Sequence, residues 1–280
     1  MTIDIQSNAK LNFGLQIEEK RNDGYHNIST FMQEINLYDE IQLDHNNINS
    51  INLSLRGIPT PNDSSNLCYI AAKSFLDTYH IKSGINITLN KKIPIGAGLG
   101  GGSSNAVSIV KGLAQLFDIS IDDKSMQLIV SKIGADIPFF IKGGLQLAEG
   151  IGHNLQAMQP LLKDYFFLLI CPSINISTTW AYEEYRKYLE ISTIKTKFHP
   201  LSDNDKIKWS LLENDFEKVV LSTYPEIKEI KSALQRSESL FSSLSGSGST
   251  MFGVYDNLES IRRSSDLFNE YQTYEALPVY

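Results

Sequence analysis

The chain has 280 residues, 42% hydrophobic and 20% charged, with a formal charge of −7. That length buries enough surface to fold without disulfides or a structural metal, and Cys68 and Cys171 stand far apart in no CxxC or Cys/His cluster, which excludes a zinc site and fits a reducing compartment. The acidic balance argues against nucleic acid as a partner, and neither a signal peptide nor an apolar run of about 18 residues is visible, so a soluble cytoplasmic enzyme with no membrane role is expected.

The first element alternates: Ala9, Leu11, Phe13, Leu15 and Ile17 share one face, Asn8, Lys10, Asn12 and Gln16 the other. This pattern predicts a strand with one buried face. Asp23-Gly24 marks a turn into a second strand that ends at Ile35-Asn36-Leu37, and residues 39–57 read as further strands. A helix is expected over residues 66–79, then a strand through Ile85, Ile87 and Leu89, then a glycine-rich loop. The stripe Ala106, Val107, Ile109, Val110, Leu113, Ala114, Leu116 and Phe117 predicts a helix after that loop. A helix over residues 122–133 ended by Gly134, a compact glycine-containing region over 136–152, and a strand over 166–170 follow. The tail predicts a helix near 226–235, a second glycine-serine turn at 245–249 and a strand over 251–255. Without a regular βαβα beat, the class expected is α+β.

The sharpest chemical feature is Pro94-Ile95-Gly96-Ala97-Gly98-Leu99-Gly100-Gly101-Gly102-Ser103-Ser104. Five glycines in seven residues allow close approach of the backbone to a ligand. Their N–H groups, with the dipole of the following helix, suit an anion. Ser103 and Ser104 supply hydroxyls for phosphate or for capping. No Gly-Lys-Ser/Thr closes the loop, so it is not a Walker A loop. Gly96-x-Gly98-x-x-Gly101 also fits a dinucleotide fingerprint, with Asp118 and Asp122 about 20 residues on. Against NAD, the preceding strand alternates, whereas a central parallel strand is apolar on both faces.

Other candidates have two readings each. Lys10 and Asn12 either neutralise a transferred phosphoryl group and hold a hydroxyl, or form a solvated strand face. Asp136, in Gly134-Ala135-Asp136-Ile137-Pro138-Phe139-Phe140, either accepts a substrate proton or settles a local turn. Tyr25 and His26 either stack on a base or form core and rim. The turn at 245–249 either is adapted to an anion or tightly connects a helix to a strand.

Taken together, Asn8-Ala9-Lys10-Leu11-Asn12, residues 94–104 and Leu244-Ser245-Gly246-Ser247-Gly248 resemble the three ordered motifs of the GHMP kinases and span nearly the whole chain. Arg21-Asn22-Asp23-Gly24-Tyr25-His26, residues 134–140 and Glu149-Gly150-Ile151-Gly152 resemble, within that superfamily, the kinases that act on a diphosphocytidyl methylerythritol. The resemblance implies an N-terminal domain of the ribosomal-protein-S5 type over 1–158 and a ferredoxin-like C-terminal domain over 159–280, with the site in the cleft between them. It implies phosphorylation of the acceptor's 2-hydroxyl by ATP with Mg²⁺, for the non-mevalonate route to isoprenoid precursors, by a monomer or weak homodimer. By position, Asp136 matches the catalytic base and Lys10 its partner, which would keep it ionised. Residues 94–104 match the ATP loop, and Asn66 a nucleotide-side asparagine. Tyr25 and His26 match a cytosine pocket, and Asn12 lies next to the transfer point. Two departures stand out: Asn105 replaces the usual Asp and removes a charge near the helix start, and Asn22 replaces a Pro in the turn.

Overall fold

The computed structural model describes residues 1–21, 24–131, 133, 137–191, 198–203 and 206–280. The chain packs as two compact units that interleave in sequence: Met1–Ala9, Leu37–Ile95 and Gly100–Lys142 form the first, and Lys10–Asn36, Gly96–Leu99 and Gly143–Tyr280 the second. Two long strands, β1 (Thr2–Lys20) and β2 (His26–Asn46), each contribute one part to each unit.

The first unit continues with β3 (Ile51–Gly57), α1 (Leu67–Thr78), β4 (Gly84–Lys91), α2 (Gly101–Leu116), α3 (Asp123–Val130) and α4 (Phe139–Lys142). β4 lies antiparallel to the second half of β2, with Ile41 opposite Leu89 and Leu43 opposite Ile87, and parallel to β3. The alternation that predicted β4 puts Ile85, Ile87 and Leu89 in the core. α1 packs along α2. It buries Cys68, Ala71, Ala72, Phe75 and Leu76, a spacing of three and four that keeps one helical face apolar. The strand before the glycine loop therefore has an antiparallel neighbour, and the doubly wound sheet of a dinucleotide fold is absent from the described residues of this unit. Asp122 is the N-cap of α3, accepting from the Ser125 N–H at 2.8 Å, and so serves the helix.

The second unit continues with β5 (Leu145–Gly150), β6 (Asn154–Ala157), β7 (Phe166–Cys171), α5 (Thr178–Ile191), β8 (Ser202–Asp203), β9 (Lys206–Ile207), α6 (Glu217–Thr223), α7 (Pro225–Arg236), β10 (Phe241–Leu244), β11 (Met251–Tyr255), α8 (Leu258–Ser265) and β12 (Gln272–Ala276). Four of these strands form an antiparallel sheet in the order β10-β11-β7-β12. α7 starts at Pro225, where a missing N–H costs nothing. It buries Ile227, Ile230 and Leu234, and burying three such side chains contributes roughly 5–9 kcal/mol before ordering entropy is subtracted.

Three expectations change. β2 does not end at Leu37 but runs unbroken to Asn46. The glycine-serine turn at 245–249 joins two strands, β10 and β11, and not a helix to a strand. β1 is buried on both faces from Ala9 to Leu15, and not on one, because its Lys10/Asn12 side is covered by other chain of the same unit. Helices α5, α6 and α8 and strand β12 have no counterpart among the sequence expectations.

Candidate active site

In the second unit the site is built on β1. Lys10 and Asn12 are each 3% exposed, so a solvated strand face is ruled out. The backbone N–H of Lys10 donates to the carbonyl of Leu99 at 3.0 Å. Its Nζ donates to the carbonyl of Gly98 at 2.7 Å and to Asn12 Oδ1. Asn12 Nδ2 then donates to Thr30 Oγ1 at 3.2 Å. The strand thus holds the first part of the loop from below and points an ammonium group at its backbone.

The third motif closes on the same atoms. Ser245 Oγ donates to the Gly98 carbonyl at 2.9 Å, so that oxygen has two donors. The Thr250 N–H donates to the Ala97 carbonyl at 3.2 Å. Gly98 has φ +78° and a Cβ there would overlap the Ser245 carbonyl oxygen, so only glycine fits this crossing. A Cβ on Gly246 would stand 3.5 Å from Lys10 Nζ and 3.3 Å from Asn12 Oδ1. Three motifs far apart in sequence therefore meet around one lysine.

In the first unit the loop runs into α2. Gly100 is the N-cap at φ 68°, and no side chain caps the helix. The N–H groups of the first turn are left to an anion, which the helix dipole also favours. Ser103 is half-buried, whereas Ser104 is 3% exposed and its Oγ accepts from Ser7 Oγ at 2.8 Å. Ser104 thus faces inward, and Ser103 is the hydroxyl on the outer side of this turn.

Beneath that turn lies a buried polar network. Asp39 is fully buried. It accepts from Lys91 Nζ at 2.6 Å, from the Lys92 and Ile93 N–H groups at 2.7 and 2.9 Å, and from Asn105 Nδ2 at 2.9 Å. One carboxylate therefore grips the chain entering the loop and the helix leaving it. Asn105 also donates to Ser7 Oγ at 2.9 Å. The amide that replaces the usual Asp is committed to this network, where a second carboxylate would face Asp39. Burial holds the Lys91 ammonium below the usual lysine range, and Asp39 opposes that shift. Asn66 is the N-cap of α1, accepting from the Cys68 N–H at 2.9 Å and donating to the Pro61 carbonyl at 2.7 Å.

Tyr25 is 60% exposed. His26 stacks on Tyr182 of α5, centroids 5.4 Å apart and 9° from parallel. Its Nδ1 lies 3.1 Å from the Glu18 carbonyl oxygen. Tyr182 in turn meets Phe216 edge-on at 4.9 Å. Tyr182 was not among the residues singled out from the sequence, because its ring partners His26 and Phe216 lie on other parts of the chain. Asp39 and Lys91 were missed because charged residues inside strands read as solvent-facing, and Asn105 was read only as a lost charge at the start of α2, not as a buried donor. Asp136, with Gly134 and Ala135 before it, lies outside the described residues, as do Asn22 and Asp23 of the turn.

Among the described residues no group of three or more His, Cys, Asp or Glu side chains is placed to hold a metal ion. Mg²⁺ in kinases is bound by one or two carboxylates plus substrate phosphates, with no dedicated protein cage. Around this loop the Ser103 hydroxyl is a protein oxygen that could ligate such an ion, and the nucleotide phosphates would supply others. No helix among the described residues is long and apolar enough to cross a membrane.

Comparison with known proteins agrees with this geometry. The GHMP kinases N terminal domain matches residues 66–144, and the GHMP kinases C terminal domain matches residues 195–265. A 4-diphosphocytidyl-2-C-methyl-D-erythritol kinase of Prosthecochloris aestuarii is 38% identical over 269 residues, covering 95% of this chain and 93% of the relative. One of Clostridium botulinum is 35% identical, covering 96% of each chain. A crystal structure of 4-(cytidine 5'-diphospho)-2C-methyl-D-erythritol kinase superposes with TM-score 0.82 at 26% identity, covering 99% of this chain and 100% of that one. The Methanococcus jannaschii mevalonate kinase shares the fold at TM-score 0.71 and 18% identity, covering 100% of this chain and 99% of its own. With both family domains matched and relatives of this identity covering nearly its whole length, the chain belongs to the GHMP kinases.

Proposed function

We infer that the chain is an ATP-dependent kinase that phosphorylates the 2-hydroxyl of 4-diphosphocytidyl-2-C-methyl-D-erythritol, a step toward isoprenoid precursors by the non-mevalonate route. The observation that carries the reading is the convergence of Lys10, the glycine loop and the Gly246 turn on one carbonyl, in a chain whose relatives carry that name. Phosphoryl transfer asks the protein mainly for positioning and charge compensation. Residues 94–104 cradle the nucleotide phosphates on N–H groups at the start of α2, with Asn66 on the nucleotide side. Lys10 balances charge at the γ-phosphate, and Asn12 holds the acceptor oxygen. Asp136 takes the proton of that hydroxyl as its oxygen bonds to phosphorus and the bond to the bridging oxygen of ADP breaks. Bound with the nucleotide, Mg²⁺ supplies charge neutralisation on the phosphates, and the Ser103 hydroxyl is the protein oxygen suited to it.

Tyr25, His26 and Tyr182 offer flat ring surface of the kind that stacks on a nucleobase, which supports a cytidine end on the acceptor. The two family domains divide at 158/159, in the stretch between the matched segments. The enzyme works as a monomer or weak homodimer in the cytoplasm, without nucleic acid. The deciding experiment measures ADP release with the cytidine-diphospho acceptor, mevalonate and homoserine in parallel. Turnover with the first alone, competed by CDP, is expected. Preference for mevalonate or homoserine, unaffected by CDP, would point to another GHMP kinase activity and overturn the assignment.

A further inference from the structure

The segment Glu213-Asn214-Asp215 belongs to none of the three motifs, yet it is wired into two of them. Asn214 is 3% exposed and Asp215 fully buried. Asn214 Nδ2 donates one proton to the Leu244 carbonyl and the other to the Gly246 carbonyl, each at 2.8 Å. Its Oδ1 accepts from the Phe216 N–H at 3.0 Å. These carbonyls flank Ser245, so one amide group draws both sides of that residue inward. Ser245 is thereby fixed where its Oγ reaches the Gly98 carbonyl, the acceptor of Lys10. On its other side the segment is bonded to β1. Leu15 N–H donates to the Glu213 carbonyl at 2.7 Å, Asp215 N–H to the Leu15 carbonyl at 2.8 Å, and Ile17 N–H to Asp215 Oδ2 at 2.8 Å. Glu217 extends the hold, its Oε1 accepting from the Leu244 N–H at 2.8 Å.

We propose that Asn214 is a positioning residue for phosphoryl transfer: it ties the Gly246 turn to the strand that carries Lys10 and Asn12, and so sets where the lysine ammonium sits. The chemistry selects an asparagine. Only a primary amide offers two protons to two carbonyls and an oxygen to a third group; leucine offers none, and aspartate turns an anion toward two carbonyl oxygens. The inference rests on Lys10 standing at the transfer centre, as read above.

The test is steady-state kinetics on the full chain, normalised to folded protein by near-UV circular dichroism. Asn214→Leu is expected to lower kcat about 100-fold, the cost of a misplacement near 1 Å, with KM for ATP and acceptor changed by less than about threefold. Asn214→Asp is expected to lose kcat near pH 8 and regain part of it toward about pH 6, because burial against two carbonyl oxygens raises the carboxyl's pKa and its protonated form again donates one bond. Asn257→Ala removes the cap that accepts from the Ser260 N–H at 2.8 Å on α8. It should lose stability and keep kcat. Three results overturn the proposal: folded Asn214→Leu with wild-type kcat, a loss confined to KM, or a fall of kcat in Asn257→Ala that tracks its stability. If Asn214→Leu does not fold, a pH profile of Asn214→Asp parallel to the wild type overturns it. Lys10→Met is assayed beside them. If it keeps turnover, the reading of Lys10 fails and this proposal with it; if it is silent while Asn214→Leu is fully active, only the positioning role fails.

Discussion

Lys10 Nζ donates to the carbonyl oxygen of Gly98 at 2.7 Å, a lysine of the first motif bonded to a glycine of the second. Lys10 is 3% exposed, and its ammonium donates to oxygens of Gly98 and Asn12. A cation placed this way in a dry site stabilises developing charge on a phosphoryl group far more than it would in water.

Replacing Lys10 with Met keeps the length of the side chain and removes the charge. Turnover is expected to fall about 100- to 1,000-fold, the range for losing one preorganised electrostatic partner. The thermal midpoint should hold or rise, because an apolar chain replaces a buried charge. Asp136→Asn should lower turnover likewise. Measuring kcat and the unfolding midpoint together decides the matter: activity within about tenfold of the wild type in either variant would remove that residue from the mechanism.

Asp39 holds the buried Lys91 at 2.6 Å and three further donors. Asp39→Ala leaves the lysine charge and two backbone N–H groups without that acceptor, and breaking a buried pair costs about 3–5 kcal/mol. The double variant with Lys91→Met should recover much of that loss, since no buried charge remains. The pH dependence has a definite sign. Burial already depresses the Lys91 ammonium, and losing Asp39 depresses it further. Between that lowered value and the unfolded lysine value the unfolded chain binds more protons, so the stability of Asp39→Ala should rise with pH across that window. Denaturant melts of the three proteins at several pH values check this.

Strands and helices with a clean period were legible before the fold was known: β4 from Ile85, Ile87 and Leu89, and α2 from its apolar stripe. The glycine loop was legible because no other residue type makes that backbone. The wiring around it was not. Asp39, Asn105 and Asn214 are polar residues whose partners lie 52 to 54, 66 or 98, and 30 or 32 positions away. Hydrophobic periodicity carries no trace of such pairings. Tyr182 was hidden likewise, its neighbour His26 lying on another element.

Tyr25 is exposed, while Tyr182 is partly buried against His26 and Phe216. A base stacked on an aromatic ring gains about 1–3 kcal/mol, which corresponds to roughly 5-fold to 150-fold in affinity. Tyr25→Ala and Tyr182→Leu should each raise KM for the cytidine-diphospho acceptor by about tenfold or more and leave KM for ATP unchanged. Equal rises in both constants would mean that the rings serve the fold and not the base.

The two thiols report on the integrity of both units. Cys68 is 1% and Cys171 6% exposed. Burial pushes the Cys68 thiol up to about 12 and the Cys171 thiol up to about 11. The thiolate is the reactive form, so the native protein at about pH 8 should not react with a disulfide reagent, and denatured protein should take up one equivalent at each cysteine. Because both folded values are raised, the associated stability is fully present below the unfolded thiol value and is lost as pH climbs through the folded values. The unfolding free energy should therefore decline between about pH 9 and pH 12. Lys91 acts in the opposite direction beside Cys68, which makes Cys171 the cleaner probe. Cys171→Ala should flatten the alkaline decline relative to the wild type, and an unchanged slope would show that the Cys171 thiol does not govern it.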